Sequence, residues 1–324
     1  MEAIFSAQEI MQAAYGQVAY GTTDDGRGRL IWEISELRQG DWFFLISSAH
    51  GNSHDALASA FEKGARGCIV NKKSNYSFAN EGHLVIAVPD TRIALFNLVK
   101  YWRHSVDPVV VGVTGSTGRR ATMLLLHELV KDKFKVHLSF MSNFEPLGCA
   151  NQVFSMKEGT ELLIFEAGAI ERGDVSKIGS ALSPDLVVIT RIKHLLQCHE
   201  REEGLASLYC ELLESVNEFD TGTAIVYDQN PVVRACAQKV LKVTQAVMYS
   251  QSDNTSCNRI SDKEIQILSQ TMERVISQGV TRAELWCAIE TAKALGVSSE
   301  EIAAFFDGTE SPDQTEENML SKGA

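Results

Sequence analysis

A glycine-rich segment in the first half of the chain has the pattern of a phosphate-binding loop. A β-branched run at residues 109–113 leads into this segment, and an apolar helical pattern follows it. In a P-loop, backbone N–H groups surround a phosphate, a lysine reaches the terminal phosphates, and a Ser or Thr hydroxyl binds Mg²⁺. The pattern therefore predicts a strand, a loop and a helix. The predicted cofactor-binding loop consists of Thr114, Gly115, Ser116, Thr117, Gly118, Arg119 and Arg120.

The two positions after the last glycine carry arginines where a P-loop carries lysine and a hydroxyl residue. Arg119 supplies a positive charge in place of lysine, on a larger and planar head group. Arg120 stands at the hydroxyl position, and a guanidinium cannot coordinate a metal cation. The segment thus keeps the form of a phosphate loop without its metal-binding group.

Composition sets broad limits on the fold and the partners. The 324 residues are 44% hydrophobic and 22% charged, as expected of a globular chain long enough for two domains. The net charge of −12 argues against direct binding to nucleic acid or to an anionic membrane surface. No apolar run approaches the roughly 20 residues of a membrane span, so we expect a soluble protein.

The cysteine pattern indicates a reducing compartment. Seven cysteines are scattered without a CxxC pair, and residues 1–20 do not have the pattern of a signal peptide. We therefore expect reduced thiols and a cytoplasmic location.

Hydrophobic periodicity predicts two α/β domains. Residues 1–107 form a small α/β domain, with helices at 7–15, 56–63 and 91–104 and strands at 41–46, 67–70 and 84–88. Asp107-Pro108 interrupts the pattern and predicts a boundary.

Longer βα units follow and predict a mostly parallel sheet covered on both faces, over residues 108–308. Strands are predicted at 109–113, 162–165, 186–190 and 223–227, and helices at 121–131, 231–239, 262–278, 282–295 and 298–306. Residues 250–259 are predicted to form a loop, and residues 309–324 an acidic, disordered tail.

These segments together resemble the Mur ligases. The matching residues are 32–45 (WEISELRQGDWFFL), His54-Asp55, the glycine loop, 165–169 (FEAGA), 183–190 (SPDLVVIT) and 288–308. Within the family the resemblance is to the MurF type, which joins D-alanyl-D-alanine to the muramoyl tripeptide. It covers the amino-terminal and central domains, and the carboxy-terminal ligase domain is expected to be absent.

The resemblance implies ATP on the glycine loop, Mg²⁺ bound by carboxylate, imidazole and hydroxyl groups, and a carbamylated lysine supporting a second metal. The family's loop lysine and threonine fall on Arg119 and Arg120, and its magnesium-binding glutamate falls on Glu166, the only retained ligand position. The other positions depart from the family pattern. They fall on Glu145-Pro146, Ile170-Glu171, Arg191, Leu196, Tyr209 and residues 227–230.

The retained and neighbouring residues also have simpler interpretations. Glu166 is expected either to cap a strand end or to form an ion pair with Arg119 or Arg120, rather than to act as a lone metal ligand. Tyr209 and Cys210 are expected to be packing residues. The residues His194, Cys198 and His199 match no zinc spacing.

A basic pocket is the remaining site hypothesis. Its members would be Arg119, Arg120, Arg191 and Lys193, all placed at the carboxyl ends of parallel strands, where this fold class binds ligands.

Three functions remain open. The preferred hypothesis is a Mur ligase-like pseudoenzyme without catalytic residues or metal, acting as a structural or regulatory subunit with a protein partner or larger assembly. The first alternative is a module that binds a nucleotide or another small anion with the glycine loop, Arg119 and Arg120, holding ATP without turnover. The second is an ATP-dependent amide-bond ligase of the peptidoglycan-precursor type, completed by a separate chain.

Overall fold

The computed structural model divides the chain into two compact units. One comprises Met1–Val110, Ser139–Leu163 and Ala169–Ser183, and the other Val111–Leu138, Ile164–Gly168 and Pro184–Ala324. These units are groups of mutual contacts and not domain limits, so the division predicted at residues 107 and 308 remains a prediction. The structure describes residues 3–46, 53–73, 83–140, 146–168, 172–192, 202–216, 223–227, 233–235, 237, 245–249 and 280–308.

The first unit contains a five-stranded sheet in the order β2-β7-β6-β5-β4. Strands β4 to β7 pair in parallel, and β2 joins β7 antiparallel. Its core packs Phe43, Leu57 and Cys68 together. The elements up to residue 106 are β1 (Phe5–Ser6), α1 (Ala7–Ala14), β2 (Gln17–Tyr20), β3 (Arg27–Gly28), β4 (Leu30–Ile31), β5 (Trp42–Phe44), α2 (Ser53–Glu62), β6 (Gly67–Asn71), β7 (Val85–Val88) and α3 (Thr91–Val106).

Local capping determines where α3 begins and ends. The Asp90 carboxylate accepts hydrogen bonds from the N–H groups of Arg92, at 2.8 Å, and Ile93, at 3.1 Å. The helix ends at Asp107, which takes the left-handed conformation with φ 52°, and Pro108 has no N–H with which to continue it. The predicted interruption at Asp107-Pro108 is therefore a helix end.

The remaining elements run from β8 to α9. They are β8 (Val109–Thr114), α4 (Arg119–Val130), β9 (Val136–Ser139), α5 (Pro146–Phe154), β10 (Leu162–Glu166), α6 (Asp174–Leu182), β11 (Leu186–Ile189), α7 (Glu202–Cys210), β12 (Thr223–Tyr227), β13 (Gln245–Tyr249), α8 (Arg282–Ala294) and α9 (Ser299–Gly308).

Helices α5 and α6 pack against α3 inside the first unit. Trp102 of α3 donates from Nε1 to the carbonyl of Met156 at 3.1 Å. Arg103 is buried, and its Nε donates to the carbonyl of Leu182 at 2.9 Å, at the carboxyl end of α6. A cation at that end of a helix interacts favourably with the helix dipole and satisfies a carbonyl that lacks a helical partner.

A six-stranded sheet follows the order β13-β12-β11-β8-β10-β9. Strands β8, β11, β12 and β13 pair in parallel. Nearly every residue of β10 and β11 is buried, as in a sheet covered on both faces. Helix α8 packs against α4. The predicted α/β class with a mostly parallel sheet is confirmed.

Most of the predicted elements are present, with limits shifted by a few residues. Helix α4 begins at Arg119, two residues before its predicted start, so both arginines belong to its first turn. Elements that were not predicted include β2, β9, α5, α6, α7 and β13. Residues 233–235 and 237 are helical, within the helix predicted at 231–239. The predictions for 250–259, 262–278 and 309–324 lie outside the described residues.

Among the described residues, every helix is too short or too polar to traverse a bilayer.

Gly112 in β8 allows the strand to approach Phe165, the residue before Glu166. A Cβ at residue 112 would lie 2.8 Å from the Phe165 ring and 3.1 Å from a methyl group of Leu212. We expect Gly112→Val to lower the free energy of unfolding by about 1–3 kcal/mol, because overpacking a buried sheet displaces its neighbours. Urea unfolding measures the change. Val109→Ala, at the half-exposed start of the same strand, is the control, and equal losses in both variants would contradict the packing argument.

Two buried thiols provide a second test of the fold. Burial raises the pKa of Cys149 in α5 to about 12, and burial together with the carboxylates of Glu284 and Glu290 raises the pKa of Cys287 in α8 to about 12. Because the thiolate is the reactive form, iodoacetamide at about pH 8 should leave both cysteines unmodified in the folded protein and alkylate both after unfolding in guanidinium. Peptide mass spectrometry distinguishes these results. Alkylation at equal rates in both states would contradict the burial.

Candidate functional site

The predicted strand, loop and helix are present as β8, residues 115–118 and α4. Gly115 has φ +131° and Gly118 has φ +83°, a region that residues with a Cβ rarely adopt. A Cβ at residue 115 would also lie 2.3 Å from the Thr190 hydroxyl. The glycines are therefore required by the backbone path of the loop.

The loop is attached to the end of β11 by hydrogen bonds. The Thr190 hydroxyl donates to the carbonyls of Thr114, at 3.0 Å, and Thr117, at 2.8 Å. The N–H groups of Ser116 and Thr117 both donate to the carbonyl of Arg191, at 3.1 and 3.2 Å. Two loop N–H groups therefore bond to protein oxygen in this conformation.

The side chain of Arg119 folds back onto its own loop. Its Nε donates to Glu166 Oε1 at 2.7 Å, and its Nη1 donates to the carbonyl of Gly115. The exposed fractions of the Arg119 and Glu166 side chains are 18% and 12%, so solvent screens this ion pair only partly. The predicted ion pair at Glu166 is confirmed, with Arg119 as the partner.

The described residues do not fit the Mg²⁺ that the family resemblance implies. The guanidinium of Arg119 bonds to the carboxylate that would contact the ion, and Arg120 offers no oxygen ligand. Among the described residues there is no group of three or more His, Cys, Asp or Glu able to hold a metal ion. The family positions on residues 145, 170–171 and 196 lie outside the described residues, as do His194, Cys198 and His199.

Glu284 belongs to the site and was missed by the sequence interpretation. Its Oε1 lies 3.8 Å from Arg191 Nη2 and 2.6 Å from the position of a Cβ built on Gly118. The Thr281-x-x-Glu284 pattern of a capping box was available in the sequence and predicts the start of α8. Nothing in that pattern shows that α8 packs against α4, which brings Glu284 to the loop.

The predicted basic pocket needs correction. Arg119 and Arg191 do meet at the loop, but Arg119 is paired with Glu166 and Arg191 faces Glu284. Arg120 is exposed, and Lys193 lies outside the described residues. Carboxylates from β10 and α8, which are remote from the loop in sequence, balance the positive charge. At Arg119 and Arg191 the site is therefore a cluster of alternating charges, and the prediction for Lys193 stays a prediction.

Two interpretations of residues on α7 agree with the structure. Tyr209 and Cys210 are both buried, so their predicted packing role is confirmed. The resemblance would place the family's carbamylated lysine at Tyr209, and a phenol cannot form the carbamate that would bind a second metal.

Relatives of this chain include UDP-N-acetylmuramoyl-tripeptide–D-alanyl-D-alanine ligases. The UDP-N-acetylmuramoyl-tripeptide–D-alanyl-D-alanine ligase of Bacillus subtilis is 28% identical over 206 residues, which cover 62% of this chain and 44% of that protein. The enzyme of the same name from Rickettsia prowazekii is 29% identical over 210 residues, covering 64% and 44%. The matched segments thus span less than half the length of these relatives.

Solved MurF structures share the fold. MurF from Acinetobacter baumannii superimposes with a TM-score of 0.76 at 18% identity, covering 96% of this chain and 70% of that one. MurF from Thermotoga maritima in complex with ADP gives 0.60 at 23% identity, covering 70% and 51%. At these identities the likeness shows the fold alone.

The family model of the Mur ligase middle domain matches residues 113–284. This match covers more than half of the 324-residue chain and includes the glycine loop, Glu166 and Glu284. The curated relatives and the solved structures agree with it. The chain therefore belongs to the Mur ligase family.

Proposed function

We propose that this protein is a non-catalytic member of the Mur ligase family that acts as a structural or regulatory subunit through protein contacts. The observation that carries the proposal is the ion pair between Arg119 and Glu166 inside the glycine loop. A ligase of this family would need the same loop and the same carboxylate for ATP and its metal.

Charge placement supports the proposal. Phosphoryl transfer depends almost wholly on cations positioned against the transferring group, and Mg²⁺ supplies most of that charge when it is bound. In this chain the Arg119 guanidinium bonds to Glu166 and to the Gly115 carbonyl, so its positive charge is directed at protein oxygen atoms. Arg120 adds positive charge at an exposed position but no metal ligand. Arg119, at the position of the family's lysine, is thus bonded to other protein groups, and Arg120 replaces the residue that would bind the metal.

The names of the relatives favour a competing function, an ATP-dependent amide ligase completed by a separate chain. That function would require Arg119 to leave Glu166 and to act in place of a lysine, while Glu166 took up the metal. Binding of a second chain would still leave Arg119 and Arg120 at the positions of the family's lysine and threonine. We therefore place this function behind the first.

A binding module is the other alternative, holding a nucleotide or another anion on the glycine loop without turnover. One observation favours it: Gly118 supplies no side-chain cap to the amino end of α4, where the helix dipole favours an anion. The engagement of Arg119 with Glu166 weighs against it.

Turnover measurements test the proposed function directly. We expect the purified protein to release no phosphate above the blank with ATP, Mg²⁺, a muramoyl-tripeptide acceptor and D-alanyl-D-alanine. The double variant Arg119→Lys/Arg120→Thr should stay inactive, because the family pattern is also lost at Arg191 and Tyr209. Phosphate release by the unmodified protein, alone or with a chain that copurifies from the native cell, would overturn the proposal and favour the completed ligase.

The stability of the ion pair provides an independent test. Glu166→Gln should lower the free energy of unfolding by about 2 kcal/mol, because Arg119 would be left partly buried without its counter-ion. Glu128→Gln is the control, since Glu128 contacts His127 and the more exposed Lys131 near the end of α4, and solvent-screened pairs contribute roughly 0–1 kcal/mol. A carboxylate kept for metal binding is instead expected to strain the metal-free protein, so increased stability of Glu166→Gln would argue for a working metal site.

A further inference from the structure

The Glu284 carboxylate lies beside Gly118, the residue that caps the amino end of α4. We propose that the Glu284 carboxylate prevents phosphate groups from binding to the glycine loop, although the backbone of the loop has the shape of a phosphate-binding loop. This proposal rests on the proposed function, because it takes the loop to be non-catalytic. It adds that Glu284 is the residue that prevents phosphate from binding there.

The position of Glu284 opposes an anion on electrostatic grounds. Parallel N–H groups and the helix dipole at the amino end of α4 attract negative charge. A carboxylate 2.6 Å from the Cβ position of Gly118 already places negative charge there. A phosphate in the loop would face this carboxylate at short range in a partly desolvated setting, where like charges repel strongly.

The charge balance of the loop depends on Glu284. Arg119, Arg120 and Arg191 contribute three positive charges among the described residues, and Glu166 and Glu284 contribute two negative charges. Removing Glu284 alone would raise the excess positive charge from one to two and would release Arg191 from its acidic neighbour. The side chains at the loop would then have the larger net positive charge that favours phosphate binding.

Glu284 is held in place and cannot easily turn away from a ligand. Its Oε2 accepts a hydrogen bond from the Thr281 N–H at 2.8 Å, and its own N–H donates to the Thr281 hydroxyl at 3.4 Å. The residue as a whole is 9% exposed. Moving the carboxylate would break the capping box at the start of α8, so the negative charge stays at the loop.

The substitution Glu284→Gln isolates the charge. Glutamine serves in a capping box as glutamate does, so the start of α8 is retained while the negative charge is lost. We expect this variant to bind inorganic phosphate and ADP, both without Mg²⁺, at least about tenfold more tightly than the unmodified protein, with affinity that falls as salt is added. Isothermal titration calorimetry of both proteins measures the difference.

A second variant controls for net charge. Glu290→Gln removes a negative charge from the same helix, six residues further along, where Glu290 pairs with Lys293. It should bind phosphate and ADP no better than the unmodified protein. Glu284→Ala, which also loses the charge but gives up the cap, should gain affinity as Glu284→Gln does, at lower stability. This variant keeps the test valid if the glutamine variant folds poorly.

The outcomes separate this proposal from the proposed function. Affinities of Glu284→Gln and Glu284→Ala equal to that of the unmodified protein would overturn the role of Glu284. So would tight ADP binding by the unmodified protein, which would leave the absence of turnover untouched. Phosphate release from ATP by the unmodified protein would overturn the proposed function instead.

Discussion

The parallel pairing of β8 with β11 is the constraint on which the site depends. Its register places Ile189 opposite Thr114, so both strands end at the same edge of the sheet. Thr190 and Arg191 follow β11 and therefore lie beside the glycine loop. The Thr190 hydroxyl and the Arg191 carbonyl form hydrogen bonds with the backbone of the loop. The loop keeps a phosphate-binding shape because a neighbouring strand supports it.

The charges at this edge are arranged in opposed pairs. Arg119 lies between a backbone carbonyl and Glu166, and Arg191 faces Glu284. In a ligase of this family the loop supports a metal and a polyphosphate, whose charges oppose one another in the same way. Here protein side chains supply both signs. The loop of this chain therefore combines the backbone of the family fold with opposed charges from its own side chains.

Much of this arrangement could be predicted from sequence because its signals are local. The buried β-branched strand, the glycines and the paired arginines lie within a dozen residues, and the ion pair at Glu166 followed from charge and the resemblance.

Glu284 could not be found in this way. Its role comes from the packing of α8 on α4, and its own sequence context explains only a helix cap. The basic pocket was wrong at Arg119 and Arg191 for the same reason, since each of them faces a carboxylate that is distant in sequence. Short strands such as β9 lacked a strong periodic signal.

The hydrogen bonds from the Ser116 and Thr117 N–H groups to the Arg191 carbonyl have a consequence for how the loop responds to its surroundings. A loop ordered by a bound nucleotide gains stability by mass action and loses it when the nucleotide is depleted. Here the ordering groups are part of the chain, so their effective concentration at the loop is independent of metabolite levels. Under the proposed function, the conformation of the loop would therefore not change with nucleotide concentration.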